Sequence, residues 1–491
     1  MKSDFNRIRN LSKNTLLQAF HQMMAIIGGL YITRFIIEFY GSSMNGLLIT
    51  INQYLSYFTL VAAGIVSSAI YALYKPVALA QHGHIQNIMG GVKVELRRSA
   101  NYFFALCIAF TSLSLLTLSE QFNVASELII LITFMAVPEY LKILFYSKYR
   151  ISLVVTKREY ILSIFSILLI ATNIISVEIT HYFNGDIIFL RMLLMVAFMF
   201  NLLFLFSAMR SQFSMFQSEK SDFGLPMRRE AMLAEVLNGV HHGLPIVIGA
   251  FFLSFEQLSV LSVYLLMIHA VSSLVSALSN SIVPHFGEMI ARNDKLFPTF
   301  YLKYEFVFFI VLCWGFSCTS FLFIPFITLY LGNITGDIYL DYYLLQIVVL
   351  SGLSNLTKSC RTVLMQSNGL FKETRKQWVR QLSIAAISCV TLAIFWNVYG
   401  IVIGIIISNI YRNVAIMRFT AKYFTQISFR YTTRYLLVSF LLPLLSFYAH
   451  FRFVGSSVGL VDFVILAIVS SSVLLLASTF SLWFVRKLIN N

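Results

Sequence analysis

Acidic side chains are scarce in this 491-residue chain, which sets 21 Asp and Glu against 36 Lys and Arg. No paired-carboxylate cluster emerges, and GxSxG, P-loop and HExxH patterns are all missing, so hydrolytic and phosphoryl-transfer chemistry find no footing. Charge of either sign is thin, 12% of residues against about 25% in soluble domains. Cysteine is sparse too. Cys107, Cys313, Cys318, Cys360 and Cys389 show no CxxC spacing and lie in or beside apolar runs. They read as small core residues, with no disulfide framework and no metal or other cofactor expected.

Hydrocarbon is abundant instead. The chain is 58% hydrophobic, with 46 Phe, 25 Tyr and a mean hydropathy of +0.79. Strands crossing a membrane would read as alternating segments of about ten residues, whereas these apolar runs are long and continuous. The expectation is an all-α integral membrane protein with about 14 transmembrane helices, at about 20 apolar residues per span. The segments fall at 14–38, 46–74, 99–118, 124–147, 159–180, 186–208, 232–254, 257–283, 304–330, 338–360, 380–397, 399–420, 434–450 and 460–485.

The net charge of +15 raises a nucleic-acid partner, but no basic cluster accompanies a nucleic-acid motif. The cations fall in every second loop, as the positive-inside rule requires of a multi-pass protein with both termini cytoplasmic. Only Arg34, Arg191 and Arg452 land on the outer side under this map. The leading "MKSDFNRIRNLSKN" is followed by no small-residue cleavage site, so the first helix reads as retained. Outer loops such as "YGSSMN" and "NVY" leave no room for a catalytic domain.

Weak internal identity supports duplication. Gly29/Gly243 and Leu47/Leu261 share one shift, and Lys142/Lys358 in the fourth and tenth spans share nearly the same one. The resulting expectation is a six-helix N-lobe (1–208), a cytoplasmic linker (209–231), a six-helix C-lobe (232–427) and two additional helices (428–491). The lobes would be related by a pseudo-twofold axis along the membrane normal.

A cation costs roughly 2.5–3.5 kcal/mol at the centre of a bilayer helix on insertion scales, so those within or beside spans need a reason. Arg34 sits four residues before Glu38. It reads either as a snorkelling or Glu-paired cation or as an anion contact inside a cavity. Lys358 and Arg361, in "LSGLSNLTKSCRTVLMQSNGLF", lie at the end of the tenth span. Headgroup anchoring and a place at the inner mouth of a central cavity, with Lys142 as counterpart, are equally economical. Glu235, Asn238, His241 and His242 follow helical spacing closely enough for three of them to share a face. They read as a satisfied polar core or as a cavity and proton-coupling group. The adjacent histidines point different ways and make no metal pair. Gly400 and Gly404 form a GxxxG, read as helix packing.

The stretch "EFYGSSMNGLLITINQYLSYFTLVAAGIVSSAIYALYKPVA" resembles the polysaccharide transporters of the multidrug/oligosaccharidyl-lipid/polysaccharide (MOP) flippase superfamily. It carries the Gly-x-x-x-x-Gly-Leu lead into the second span (Gly41, Gly46, Leu47), then Gly64, Ile65, Ala69 and "ALYKPVA". The segment "LKILFYSKYRISLVVTKREYI" is similar to the one that follows the family's fourth span, departing from it at "VTKRE". Arg34 matches an Arg that precedes the Gly in that family.

The resemblance implies a MATE-like fold in the cell inner membrane. It implies export of undecaprenyl-diphosphate-linked oligosaccharide for O-antigen, capsule or exopolysaccharide by alternating access, with no enzymatic activity. Arg34, Lys142, Lys358 and Arg361 would meet the diphosphate, and Gln18, Asn52, Gln53, Asn280 and Asn409 the sugar. Partners would be that lipid-linked oligosaccharide, membrane lipids, and a polysaccharide polymerase with its chain-length machinery, without nucleic acid. The alternatives are a MATE-type drug exporter, which should prefer cavity acids, and a peptidoglycan-precursor flippase. A membrane polymerase or ligase would call for a large outer loop.

Overall fold

A computed structural model describes residues 2–79, 81–118, 125–209, 228–292, 294–367, 371–424, 429–453 and 459–490. Most of the expected linker 209–231 lies outside the described residues. Within them the chain is all-helical, without strands. Fourteen α-helices run in order as α1 (Lys2–Ala78), α2 (His82–Leu118), α3 (Ala125–Leu141), α4 (Ser147–Val155), α5 (Tyr160–Tyr182), α6 (Ile187–Met209) and α7 (Arg228–Phe252). They continue as α8 (Phe255–Ala291), α9 (Phe297–Thr335), α10 (Tyr342–Thr357), α11 (Ser359–Ser367), α12 (Phe371–Tyr423), α13 (Phe429–Phe453) and α14 (Leu460–Asn490). A π-helical turn, Lys142–Tyr146, joins α3 to α4.

Nine helical stretches among the described residues are long and apolar enough to cross a membrane. The fourteen segments expected from sequence map onto these helices differently than one to one. The first two are the halves of α1 and the eleventh and twelfth the halves of α12, while among the described residues α7 gives the shorter apolar helix Val236–Phe252, α10 has 16 residues, and α2 is not among the nine.

Each doubled helix breaks where its sequence dictates. In α1 the break is Gly41, with φ 84° and ψ 165°, a conformation open to glycine and strained for any residue with a Cβ. In α12 it falls at Trp396 and Asn397. Helix starts are also coded locally. Ser254 and Gln257 form a reciprocal capping box at α8, and the Asp341 side chain caps α10 by accepting from Leu344 N.

The chain divides into two compact units, Met1–Tyr40 with Leu48–Gly243, and Gly41–Leu47 with Leu244–Asn491. The first unit is built on α5 packed against α6 and α3 against α6, around a core of Tyr149, Leu153, Phe165, Phe198, Leu205 and Met209. In the second, α9 contacts α8, α10, α13 and α14, and α12 lies along α10. There the glycines of GxxxG allow close helix approach, as their spacing predicts. A Cβ at Gly400 would sit 2.0 Å from the Leu392 carbonyl oxygen, and one at Gly404 2.6 Å from the Cys389 nitrogen.

The second unit's outlying segment is tied in by a buried relay. Asn45 Nδ2 donates to Ser259 Oγ (2.6 Å), which meets the Tyr339 hydroxyl (2.8 Å), and that hydroxyl donates to Ser42 Oγ (2.9 Å).

Apolar surface is left uncovered on a scale that water would not tolerate. Only 6% of the apolar window in Leu460–Lys487 is buried, and large side chains such as Val461, Ile468, Leu476 and Phe480 are exposed. A helix apolar all round with so little protein cover is solvated by lipid.

Candidate functional site

The tenth segment does not run through. Ser354 Oγ donates to the Ser351 carbonyl (2.7 Å) and Thr357 Oγ1 to that of Ser354 (3.0 Å), back-bonding that loosens a helix end. The turn then closes at Lys358, and α11 resumes with Arg361 N and Thr362 N both donating to the Lys358 carbonyl. Side chains of α12 hold this break together. Asn413 Nδ2 donates to the Ser354 carbonyl at 2.7 Å and its Oδ1 accepts from Thr357 Oγ1 at 3.0 Å. Asn409 Nδ2 donates to Ser354 Oγ at 3.2 Å, while Gln381 Nε2 donates to Asn409 Oδ1 at 3.0 Å.

The break places two cations inside the second unit. Neither reaches a lipid-facing surface, since Lys358 is 9% exposed and Arg361 1%. Arg361 Nη2 lies 3.3 Å from Glu305 Oε1 on α9 and also donates to the Thr432 hydroxyl on α13. Thr432 in turn donates to the same carboxylate oxygen at 2.5 Å. The guanidinium carbon is 5.5 Å from the Tyr301 ring centroid. Arg361 Nε and Nη1 and Glu305 Oε2 find no partner, so this is a tight but incompletely satisfied pair.

Among the described residues, Lys358 meets no carboxylate. Its Nζ stands 5.7 Å from the Trp378 ring centroid, and the Arg412 guanidinium stands 4.5 Å from that same ring. Arg412 Nη1 donates to Gln377 Oε1 at 2.8 Å. One indole thus faces two like charges, each attracted by its π-face. Among the described residues, the buried Lys, Arg, Asp and Glu are Lys358, Arg361, Arg412 and Glu305. Three cations against one anion leave a buried positive excess, an environment that favours an incoming anion.

The other sequence candidates lie in the first unit. Arg34 Nε is 3.6 Å from Glu38 Oε2, both side chains half exposed, so the Glu-paired geometry is the one present. Lys142 Nζ is 2.6 Å from Glu139 Oε1 and 5.6 Å from the Phe198 ring centroid. It begins the π-helical turn, as its proposed counterpart Lys358 sits at the α10/α11 break, and departures of this kind gather at functional positions. His241 is buried and His242 exposed, their rings edge-on at 6.1 Å, so neighbours in sequence do diverge. Asn238 is exposed, and the Glu235 side chain is outside the described residues.

Asn409, expected to meet sugar, is instead engaged in the helix clamp and fully buried. Gln53 Nε2 donates to Ser56 Oγ at 3.3 Å, Gln18 and Asn52 are exposed, and Asn280 is outside the described side chains. Sequence reasoning overlooked Arg412, Trp378 and Glu305. A signal existed for Arg412, because Ser408, Asn409, Arg412 and Asn413 form a polar stripe at helical spacing in an apolar run.

No family model matches the sequence, and no curated protein matches it either. Solved structures do match in fold. The lipid II flippase MurJ in its inward closed conformation is similar over 97% of this chain and 99% of its own (TM-score 0.63, 15% identity). The MATE transporter VcmN of Vibrio cholerae is similar over 87% of this chain and 99% of its own (TM-score 0.60, 12% identity). A MOP superfamily transporter from Pyrococcus furiosus matches over 84% and 94% (TM-score 0.53, 14% identity). The chain has the fold of the MOP superfamily transporters.

Proposed function

We propose that this chain is a flippase that carries an anionic, lipid-linked oligosaccharide across the cytoplasmic membrane by alternating access. The observation that carries the proposal is the buried excess of cations among the described residues, with Lys358 and Arg412 both facing Trp378 and neither held by a described carboxylate. Isoprenoid diphosphate supplies two negative charges that these groups would meet. A cationic drug would be repelled by the same cluster. Arg361, neutralised by Glu305, would position the α10/α11 break, while Arg34 and Lys142 would have to leave Glu38 and Glu139 to take part. Outward transfer of two negative charges against 100 mV, inside negative, is favoured by about 4–5 kcal/mol, less whatever moving protein cations cancel.

A second reading shares this chemistry. Similarity to a lipid II flippase along nearly the whole chain supports a peptidoglycan precursor, which carries the same diphosphate with a different headgroup.

The test is reconstitution of the full chain into liposomes with a fluorescent isoprenoid-diphosphate oligosaccharide, read by its accessibility to an impermeant glycosidase. The expected result is translocation that falls about tenfold or more when Lys358→Gln and Arg412→Gln are combined, one lost charge contact being worth at least about 1.4 kcal/mol. Equal movement of an uncharged isoprenoid glycoside would refute the anion reading. Preference for the muropeptide-bearing lipid would select the second reading.

A further inference from the structure

The segment Gly41–Leu47 belongs to the second unit, while the chain on both sides of it belongs to the first. Its two glycines explain how it gets there. Gly41 takes φ 84°, which lets the chain turn out of the first half of α1. At Gly46 a Cβ would lie 1.8 Å from the Phe255 carbonyl oxygen, so glycine is what allows the close approach to the start of α8. Asn45, Leu47, Ser259 and Tyr339 are all buried at this contact. By the charge distribution of the sequence this is the exit side, since "YGSSMN" is a short outer connection.

The two sides of the contact differ in how they are held. The receiving side is fixed within the second unit. The Tyr264 hydroxyl donates to the Tyr339 carbonyl at 2.7 Å and accepts from Asp341 N at 3.0 Å, and Ser259 stands just beyond the Ser254 capping box of α8. The arriving side is held by the first unit at both ends. Tyr40, next to Gly41, donates its hydroxyl to the Gly185 carbonyl at 2.7 Å. From Ser42 onward α1 is helical to Ala78, so the segment is one rod with the first-unit chain that begins at Leu48. A helix turns as a body. Any turning of one unit against the other therefore draws Ser42 and Asn45 away from Tyr339 and Ser259. Only hydroxyls and one amide hold them there, neutral bonds of modest net strength that break without leaving a charge desolvated.

A permanent clip here would weld the second half of α1 to the second unit and forbid alternating access. We infer that the Asn45–Ser259–Tyr339–Ser42 relay is a releasable latch, which holds the exit side shut while seated and parts once in each transport cycle. Gly41 is its swivel, and Gly46 sets how closely it seats. The inference rests on the transport reading above for what sets the units in motion, but release of the segment is measurable apart from transport.

The experiment places a thiol under the latch of the full chain in liposomes. Leu47→Cys, at a buried position of the segment, is labelled from outside with an impermeant maleimide, the parent chain giving the background of its own cysteines. Labelling should be slow, and about tenfold faster once Tyr339→Phe deletes the hydroxyl that joins Ser42 to Ser259. The ring stays, so this variant should elute as the parent does in size exclusion. A second arm joins Asn45→Cys to Ser259→Cys with a short bis-methanethiosulfonate. Movement of the fluorescent glycan lipid should fall at least about tenfold on cross-linking and return on reduction. Labelling unchanged by Tyr339→Phe, or undiminished movement by the cross-linked chain, overturns the latch while leaving the transport reading in place. Labelling that responds to Tyr339→Phe in a chain that moves no glycan lipid supports a releasable contact and refutes the transport reading.

Discussion

Replacing Glu305 by Gln is the sharpest perturbation available. The substitution keeps side-chain volume and an oxygen for Thr432 to reach, but it leaves Arg361 charged, 1% exposed and without the carboxylate it pairs with. Removing one partner of a buried ion pair costs about 3–5 kcal/mol, since the remaining charge stays desolvated. Here the cost should lie toward the upper end, because Lys358 and Arg412 already load the same unit with positive charge. For a unit of this size, a kilocalorie moves the melting temperature by about 2–4 °C, so a drop of roughly 6–20 °C is expected. Fluorescence-detected size-exclusion after heating, in detergent, reads it directly. The double variant Glu305→Gln with Arg361→Met should recover most of the loss, as an apolar replacement of a buried pair is near neutral. A single variant melting within a degree of the parent, or a double variant no better than the single, would refute the reasoning.

Trp378→Leu should remove the shared ring of Lys358 and Arg412, at about 1–2 kcal/mol together, seen as a small melting shift with a larger fall in flipping. Gly404→Leu forces a side chain into the Cys389 backbone, 2.6 Å from where its Cβ begins. A loss of about 1–3 kcal/mol is expected, visible as a lowered melting temperature with membrane insertion intact. Asn413→Leu removes one donor from the Ser354 carbonyl and one acceptor from the Thr357 hydroxyl, which keep each other as partners, costing about 0.5–1.5 kcal/mol. Hydrogen exchange should accelerate across 354–361 while the rest of α12 stays protected.

Helix type and much of the segmentation were legible because lipid imposes length and hydrophobicity on each span. Continuity was not legible. Period and composition do not say whether Tyr40 and Asn45 end two helices or flank a kink, and the answer lies in the backbone angles of Gly41. The candidate site was half legible. Lys358 and Arg361 drew attention as cations in an apolar run, yet their environment was set by α9, α12 and α13, all distant in sequence. Glu305, in "LKYEFVF", carries no signal of its own in the sequence, and only packing makes it the counter-ion of Arg361. Arg412 counts as a loop cation in the positive-inside pattern, which tallies charges near span ends without knowing which way a side chain turns.

The seven residues from Gly41 to Leu47 pack with the second unit although chain on either side of them belongs to the first. Genetic dissection therefore has no clean cut. A fragment beginning at Leu244 would carry Ser259 and Tyr339 still bonded to each other but without Asn45 and Ser42, which the other piece holds. During synthesis the later half must wait for nothing, since its missing strap is already made, whereas co-expressed halves would have to find each other before either could settle.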